Sequence, residues 1–447
     1  MDIGELIDAG PVGGLQRTII FTCFLISLLD GFDQSLAAVV GPALIRANVV
    51  DVSAFAWLVS ASVLGFVAGT LVFGAAADRF GRRRVLMTTV AIFAAGSLLC
   101  AYCRNAPELV GARLVTGIGL GGSSPCFVSL AAEFAPRRLR STVVTTVWAG
   151  IPLGGVLGGL VGGLASHGNW SWMFLLGALL PLPLIAWLWA YIPESLSFLV
   201  LKTGRTEDVR AVLMRIRPQL AVPRDADFAV AREPFAKATP ATLFAGGRAI
   251  MTVSLWSAFL LFSGQLNMVS QYTPILLRDG GGDANVGPLV LSAFYAGGVI
   301  GAFIAGPALR WLPKAKAVIA LMVIAAISSA PFGWVFGAQT AGLIVAAAWV
   351  GLTQSAAITA IVGLTSELYP LALRGTAFGW ALGVSRLGSM AGPLLSARLI
   401  VGGLDHRSYY LVTSGLALCA ASAAAAGMGR MCRKTHVPKS PMNGPST

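Results

Sequence analysis

The chain has 447 residues, of which 11% are charged and 56% are hydrophobic. A soluble domain carries about 25% charged residues, so this composition excludes an ordinary soluble protein and indicates an integral membrane protein. The net charge of +13 would suit a nucleic-acid-binding protein. The basic residues, however, cluster in segments expected on one side of a membrane, which indicates topology rather than a polyanion-binding surface.

Twelve apolar segments are long enough to span a bilayer, which takes about 20 helical residues. We predict spans near 17–40, 54–77, 85–103, 107–131, 141–163, 170–192, 248–271, 286–309, 315–335, 340–364, 373–397 and 408–428. The fold class is therefore an all-α integral membrane protein. We predict an N-terminal six-helix bundle (1–192), a linker with some amphipathic helix (193–247), and a C-terminal six-helix bundle with a short basic tail (248–447). An even number of spans, with the Lys and Arg asymmetry, places both termini in the cytoplasm.

The first predicted span carries two acidic residues, Asp30 and Asp33, in the sequence Leu-Leu-Asp-Gly-Phe-Asp-Gln. An ionisable group in hydrocarbon is costly unless it is paired or wet, which makes each one a functional candidate. Their spacing puts them on one face of the helix. Two carboxylates this close in a low dielectric cannot both ionise cheaply, so we predict that one holds a proton. The alternative at each position is a structural carboxylate paired to an arginine.

A charged segment separates the second and third spans, with the sequence Gly-Ala-Ala-Ala-Asp-Arg-Phe-Gly-Arg-Arg-Arg at 74–84. Four basic residues within six positions place it at the cytoplasmic surface. We expect Gly74 and Gly81 to let two helix ends approach closely. Asp78 can meet a helix N-terminus or an arginine. The alternative is an ordinary basic loop.

The two predicted halves repeat. Glu133 and Arg140 belong to the pattern Glu-x-x-Pro-x-x-x-Arg, which recurs at Glu367 and Arg374 with an offset of 234 residues. Two parallel copies of this kind are typical of bundles related by an axis along the membrane normal. The second charged segment is degenerate, because Arg310 stands where the first copy has its aspartate.

Two arginines lie within predicted spans, Arg113 in the fourth and Arg386 in the eleventh, and neither has an acidic neighbour one helical turn away. A buried guanidinium requires an anion. For Arg113, a structural pair with the first helix and a substrate contact both remain open. For Arg386, in the other half, we expect substrate contact or closure across the cleft. Polar residues in otherwise apolar spans are candidates for binding a substrate hydroxyl: Gln265, Asn267, Gln271 and Gln354.

These motifs together resemble the aromatic acid:proton symporter family of the major facilitator superfamily, of which 4-hydroxybenzoate transporters are typical. The Asp-Gly-Phe-Asp element of the first span is the most specific part of the resemblance. The resemblance implies that Asp30 and Asp33 serve proton coupling or substrate recognition and that Arg113, Arg374 and Arg386 are required. It also implies a cytoplasmic gate, for which the candidates are Gly74, Asp78, Arg79, Gly81, Arg82, Glu133, Arg140, Glu367 and Arg374.

We therefore expect a monomeric, multi-pass transporter of the bacterial inner membrane that imports a small aromatic carboxylate with protons. The proton is the coupling ion, and no other cofactor, metal or nucleic-acid partner is expected. The alternatives are a proton antiporter that exports an amphipathic compound, a symporter of a non-aromatic organic acid or sugar, and a transporter-like membrane sensor. The sequence shows no nucleophile–base pair or metal cluster, so we expect no enzymatic activity.

Overall fold

The computed structural model describes residues 3–8, 10–165, 170–203, 206–216, 228, 240–279, 286–311, 313–337 and 339–434. All regular structure within these ranges is helical. Much of the predicted linker, and the basic tail from residue 435 onward, lie outside the described residues.

Six helical segments form the first set: α1 (Gly14–Arg46), α2 (Val52–Phe80), α3 (Arg82–Tyr102), α4 (Ala106–Phe134), α5 in two pieces (Arg140–Trp148 and Gly150–Ala165), and α6 in two pieces (Ser171–Leu179 and Pro181–Tyr191). Side chains at the preceding residue cap two of these helices, because Asp51 Oδ1 accepts from Ala54 N at 2.6 Å and Asn105 Oδ1 accepts from Glu108 N at 3.0 Å. The chain turns from α2 into α3 within one residue.

The second set contains α7 (Ala249–Asp279), α8 (Val286–Trp311), α9 (Lys314–Ser329, continued by the 3-10 turn Ala330–Trp334), α10 (Thr340–Leu368), α11 (Leu371–Val401) and α12 (His406–Lys434). Eleven helical segments of the described chain are long and apolar enough to cross a membrane. The segment not among them is α11, which has 31 residues but carries Arg374, Arg386 and Arg398. The prediction of a twelfth span therefore stays a prediction.

Glycines allow neighbouring helices to pack closely at equivalent positions in the two sets. A Cβ on Gly65 of α2 would lie 2.2 Å from the carbonyl oxygen of Leu114 in α4, and a Cβ on Gly297 of α8 would lie 1.9 Å from that of Ala348 in α10. Only glycine permits such an approach. The two glycines are 232 residues apart, close to the offset of the sequence repeat.

The same recurrence links α5 with α1 and α11 with α7. A Cβ on Gly154 would lie 1.9 Å from Leu28 O, and a Cβ on Gly388 would lie 2.0 Å from Leu260 O. These residues are offset by 234 and 232 positions. The described helices thus support the internal repeat predicted from the sequence.

We call the side of the molecule that carries Arg82, Arg83 and Arg84 the basic face, and the other side the opposite face. On the opposite face, one apolar cluster joins both sets of helices, with the rings of Phe55 and Tyr272 in edge-to-face contact at 5.5 Å between centroids. On the basic face, the buried apolar residues of the described chain form two separate clusters, one in each set. The cleft between the sets therefore opens toward the basic face and is closed on the opposite face.

Two short helices, one before α1 and one after α6, also pack on the basic face. The helix Ile3–Asp8 buries Ile7, and the amphipathic helix Thr206–Ile216 buries Ile216, both in the apolar cluster of the first set. The later part of α12 belongs to the corresponding cluster of the second set. Both ends of the described chain thus lie on the basic face.

Candidate functional site

A cavity lies between the two sets of helices, near the middle of the long helices. Helices α1, α2, α4, α7 and α11 enclose it, and its charged and amide side chains are Asp30, Gln34, Arg113, Asn267, Gln271 and Arg386. The fold thus brings together residues that lie more than 350 positions apart in the chain. Five of the residues that the sequence predicted for a substrate and proton site line this cavity directly.

The two acidic residues of α1 have different partners. Arg113 Nη1 donates to Asp33 Oδ1 at 2.8 Å, with side-chain exposures of 3% and 0%. Asp30 is also buried, and it accepts a hydrogen bond from Gln34 Nε2 at 3.0 Å. Of the alternatives that the sequence left open, the structure shows Asp33 in an ion pair with an arginine and Asp30 on the cavity wall.

The Asp33–Arg113 pair is incompletely satisfied. Asp33 Oδ2 and Arg113 Nε are buried without a hydrogen-bond partner among the described residues. The remaining contact of the guanidinium is a long one, from Nη2 to Ser62 Oγ at 3.4 Å. A buried pair of this kind retains capacity for a further proton or a further anion.

Arg386 enters the cavity from α11, where Asp30 is a neighbouring charge but not a contact partner. Its guanidinium carbon lies 4.0 Å from the centre of the Phe66 ring of α2, a cation–π contact that crosses between the two sets of helices. Within the described residues, Arg386 makes neither a hydrogen bond nor an ion pair. A partly buried guanidinium whose direct contact is an aromatic face keeps its N–H donors available to an anion.

The amide side chains of α7 divide between two faces of the helix. Asn267 and Gln271 line the cavity, four residues apart. Gln265, also predicted for the site, is fully buried and does not line the cavity, and neither of its amide atoms has a partner in the described chain. Two residues along a helix correspond to a rotation of about 200°, which carries Gln265 to the far side from Asn267.

On the basic face, Glu133 of α4 joins three segments. Its carboxylate pairs with Arg82 at the start of α3, accepts from Ser195 Oγ at 2.7 Å and accepts from the main-chain N–H of Ser197. This network ties the segment between α2 and α3 to the segment that follows α6. The sequence placed Glu133 and Arg82 in one gate, and the structure places them in direct contact.

A second carboxylate, Glu194, closes the turn at Gly81. Glu194 Oε1 accepts from the main-chain N–H of Arg83 at 2.9 Å. Gly81 has φ +95°, and a Cβ there would lie 2.4 Å from Glu194 Oε2. Glycine is required both for this backbone conformation and for the approach of the carboxylate.

The close approach predicted at Gly74 is absent from this structure, because a Cβ there would meet nothing within 4 Å. Asp78 and Arg79 are exposed. Arg79 lies 5.3 Å from the ring centre of its neighbour Phe80, and Asp78 makes no hydrogen bond or ion pair in the described chain. The predicted contact at Gly74 is missing because the cleft is open on this face, where the apolar clusters of the two sets are separate.

The arginines of the two Glu-x-x-Pro-x-x-x-Arg motifs make similar contacts. Arg140 Nε donates to Ala132 O and Arg374 Nε donates to Tyr369 O, both at 3.1 Å. Each arginine thus donates to a carbonyl at or just beyond the end of the preceding helix. The side chain of Glu367 lies outside the described residues.

The family model of the Major Facilitator Superfamily matches residues 23–393, with an overlapping match at 281–442. The chain belongs to the major facilitator superfamily.

Relatives within this superfamily cover nearly the whole chain. The 4-hydroxybenzoate transporter of Pseudomonas aeruginosa is 32% identical over 431 residues, with 95% of each chain covered. The gallate transporter of Pseudomonas putida is 31% identical over 406 residues, with 90% of each chain covered. A solved xylose transporter from E. coli, in a partially occluded inward-open conformation, has a TM-score of 0.71 at 19% identity and covers 95% of this chain and 100% of its own. The resemblance noted in the sequence is confirmed at the level of the superfamily, and the chain is a multi-pass membrane protein.

Sequence reasoning missed several contacts of this major facilitator site. Gln34 and Ser62 are polar residues within apolar spans, a signal that could have marked both. Phe66 gave no such signal, since an aromatic residue in a span is usually core or lipid-facing. Glu194 is an acidic residue at the predicted basic surface, which is a signal for an ion-pair or capping role.

Proposed function

We propose that this chain is a secondary transporter that imports a small aromatic carboxylate together with protons. The observation that carries the proposal is Arg386, a guanidinium in a mid-membrane cavity that contacts an aromatic ring and forms no ion pair within the described chain. A carboxylate that leaves water requires a fixed positive charge, and a planar guanidinium can offer two donors. The relatives named for gallate and 4-hydroxybenzoate support an aromatic acid as the ligand.

Two acidic residues, Asp30 on the cavity wall and Asp33 beside Arg113, support proton coupling. Asp33 holds Arg113 by an ion pair, and one oxygen of Asp33 has no partner among the described residues. A proton on Asp33 would remove the charge that holds the guanidinium, so Arg113 would become available to a second anion. Asp30 adds a further carboxylate to the cavity wall. Proton binding and carboxylate binding would then favour each other, as symport requires.

Alternating access supplies the transport step. The positive-inside rule assigns the basic face to the cytoplasm, so the present conformation would be open inward. The gate residues Asp78 and Glu133 would close this face when the opposite face opens. We extend the proposal to twelve spans, with both termini cytoplasmic, in a monomer of the bacterial inner membrane.

Uptake into liposomes that contain the purified protein tests this proposal. We would measure accumulation of radiolabelled benzoate and 4-hydroxybenzoate with an acidic exterior, with and without a protonophore. The expected result is accumulation that the protonophore abolishes and that exceeds the passive uptake of the acid by protein-free liposomes under the same pH gradient. Accumulation that survives the protonophore would contradict proton coupling. Equal transport of xylose or of a non-aromatic acid would contradict the aromatic ligand. Loss of a preloaded acid from the lumen that is driven by an acidic exterior, in exchange for protons that enter, would indicate an exporter.

A further inference from the structure

Helix α7 presents two amide side chains to the cavity, and both already use their NH2 groups. Gln271 Nε2 donates across the interface to the main-chain oxygen of Gln34 at 3.3 Å. Asn267 Nδ2 donates to the main-chain oxygen of Ser263 at 3.1 Å. A main-chain oxygen only accepts hydrogen bonds, so these contacts fix the orientation of each amide.

The amide oxygens are left as acceptors without donors. Gln271 is only 5% exposed, and its Oε1 is buried without a hydrogen-bond partner among the described residues. Asn267 Oδ1 also makes no hydrogen bond within the described chain. The neighbouring amide of Gln34 directs its NH2 group to Asp30 and makes no hydrogen bond to Gln271 Oε1 within the described residues. A buried acceptor without a donor is costly, so this wall of the cavity favours a ligand that brings one.

Hydrogen-bond donors lie on other walls of the cavity. Arg113 and Arg386 carry guanidinium groups on α4 and α11, and guanidinium groups donate but do not accept. The cavity therefore combines two cationic donors with amide acceptors about 6 Å apart along α7. A ligand that satisfies both has an anionic group and, elsewhere, a group that donates a hydrogen bond.

We propose that Gln271, assisted by Asn267, selects aromatic acids whose ring carries a hydrogen-bond donor, above all a phenolic hydroxyl. This specificity rests on the proposed transport of an aromatic carboxylate at the same cavity. Rings substituted with hydrogen, methyl or methoxy groups leave Gln271 Oε1 without a donor. Discrimination by a missing hydroxyl is strong when the site contains a buried polar group that the analogue leaves unpaired.

Equilibrium binding to the purified protein tests the inference, with 4-hydroxybenzoate, benzoate and 4-methoxybenzoate as probes. The methoxy acid keeps the oxygen on the ring but has no donor. We expect wild-type protein to bind the hydroxy acid about tenfold more tightly than the other two. Gln271→Leu should abolish this preference by weakening only the hydroxy acid. Gln265→Leu is the matched control on the far side of α7, and it should keep the preference.

The outcomes separate the inference from the function on which it rests. Wild-type protein that binds none of the three acids would contradict the proposed function. Equal affinity of wild-type protein for all three, or a Gln271→Leu protein that keeps the tenfold preference, would overturn the role of Gln271 and leave aromatic-acid transport standing. A Gln271→Leu protein whose affinity for all three acids falls by the same factor would likewise overturn it. The wild-type comparison tests the donor rule even when the variant does not fold.

Discussion

Removal of the Asp33 carboxylate should reduce both stability and proton coupling. The substitution Asp33→Asn leaves Arg113 without the carboxylate that it contacts at 2.8 Å, in a pair whose side chains are at most 3% exposed. Loss of one partner from a buried ion pair costs about 3–5 kcal/mol. Because Arg113 also lines the cavity, where water can solvate it, we expect a loss near the lower end, about 3 kcal/mol.

A double-mutant cycle isolates this interaction. We would measure the free energy of unfolding in detergent micelles for Asp33→Asn, Arg113→Gln and the combined variant. The double variant removes both charges, so it should lose far less than the sum of the two single losses. Additive losses, within about 0.5 kcal/mol, would refute the conclusion that the pair stabilises the fold.

The same substitution separates coupling from binding in a transport assay. Asparagine cannot take up a proton at neutral pH, so Asp33→Asn should abolish accumulation driven by a proton gradient. Exchange of internal for external substrate moves no net proton and should survive. If Asp30→Asn and Asp33→Asn both accumulate substrate as the wild type does, the acidic residues are structural and the coupling scheme fails.

Substitutions at the gate and at the glycine contacts should change turnover or stability. Asp78→Asn should lower the turnover rate far more than substrate affinity, and an equal loss of both would argue against a gate. Gly81→Ala should lower the free energy of unfolding by about 1–3 kcal/mol because of its positive φ, whereas Gly74→Ala, which faces open space, should be nearly neutral. Gly154→Ala and Gly388→Ala should each cost about 1–3 kcal/mol through overpacking at equivalent contacts, and thermal unfolding of the two variants would check that equivalence.

The membrane-spanning helices could be predicted from the sequence because span length is a local property of apolar composition. Eleven of the twelve predicted segments correspond to helices apolar and long enough to cross a bilayer. The breaks were not predicted: α5 is interrupted at Ala149 and α6 at Leu180. The internal repeat was visible in two short motifs, and the paired glycine contacts of α5 with α1 and of α11 with α7 extend it to helix packing.

The site was only partly predictable, because its geometry depends on helix rotation. A charge in hydrocarbon requires a partner, so the sequence indicated a pair between Arg113 and the first helix as one of two possibilities, without choosing between Asp30 and Asp33. The polar residues of α7 were visible, but the face that each occupies depends on how α7 packs against α1 and α11. Gln271 therefore lines the cavity while Gln265 does not. The contact expected at Gly74 depends on which face of the molecule is open.

Binding of an aromatic acid and its amide to purified wild-type and Arg386→Ala protein tests the central claim most directly. The claim is that the guanidinium of Arg386, which forms no ion pair within the described chain, binds the substrate carboxylate. Arg386→Ala should eliminate measurable binding of 4-hydroxybenzoate, and Arg386→Lys should weaken it because the planar pair of donors is lost. The uncharged 4-hydroxybenzamide should be nearly indifferent to both changes. An Arg386→Ala protein that binds 4-hydroxybenzoate with wild-type affinity would contradict the claim and make Arg113 the next candidate.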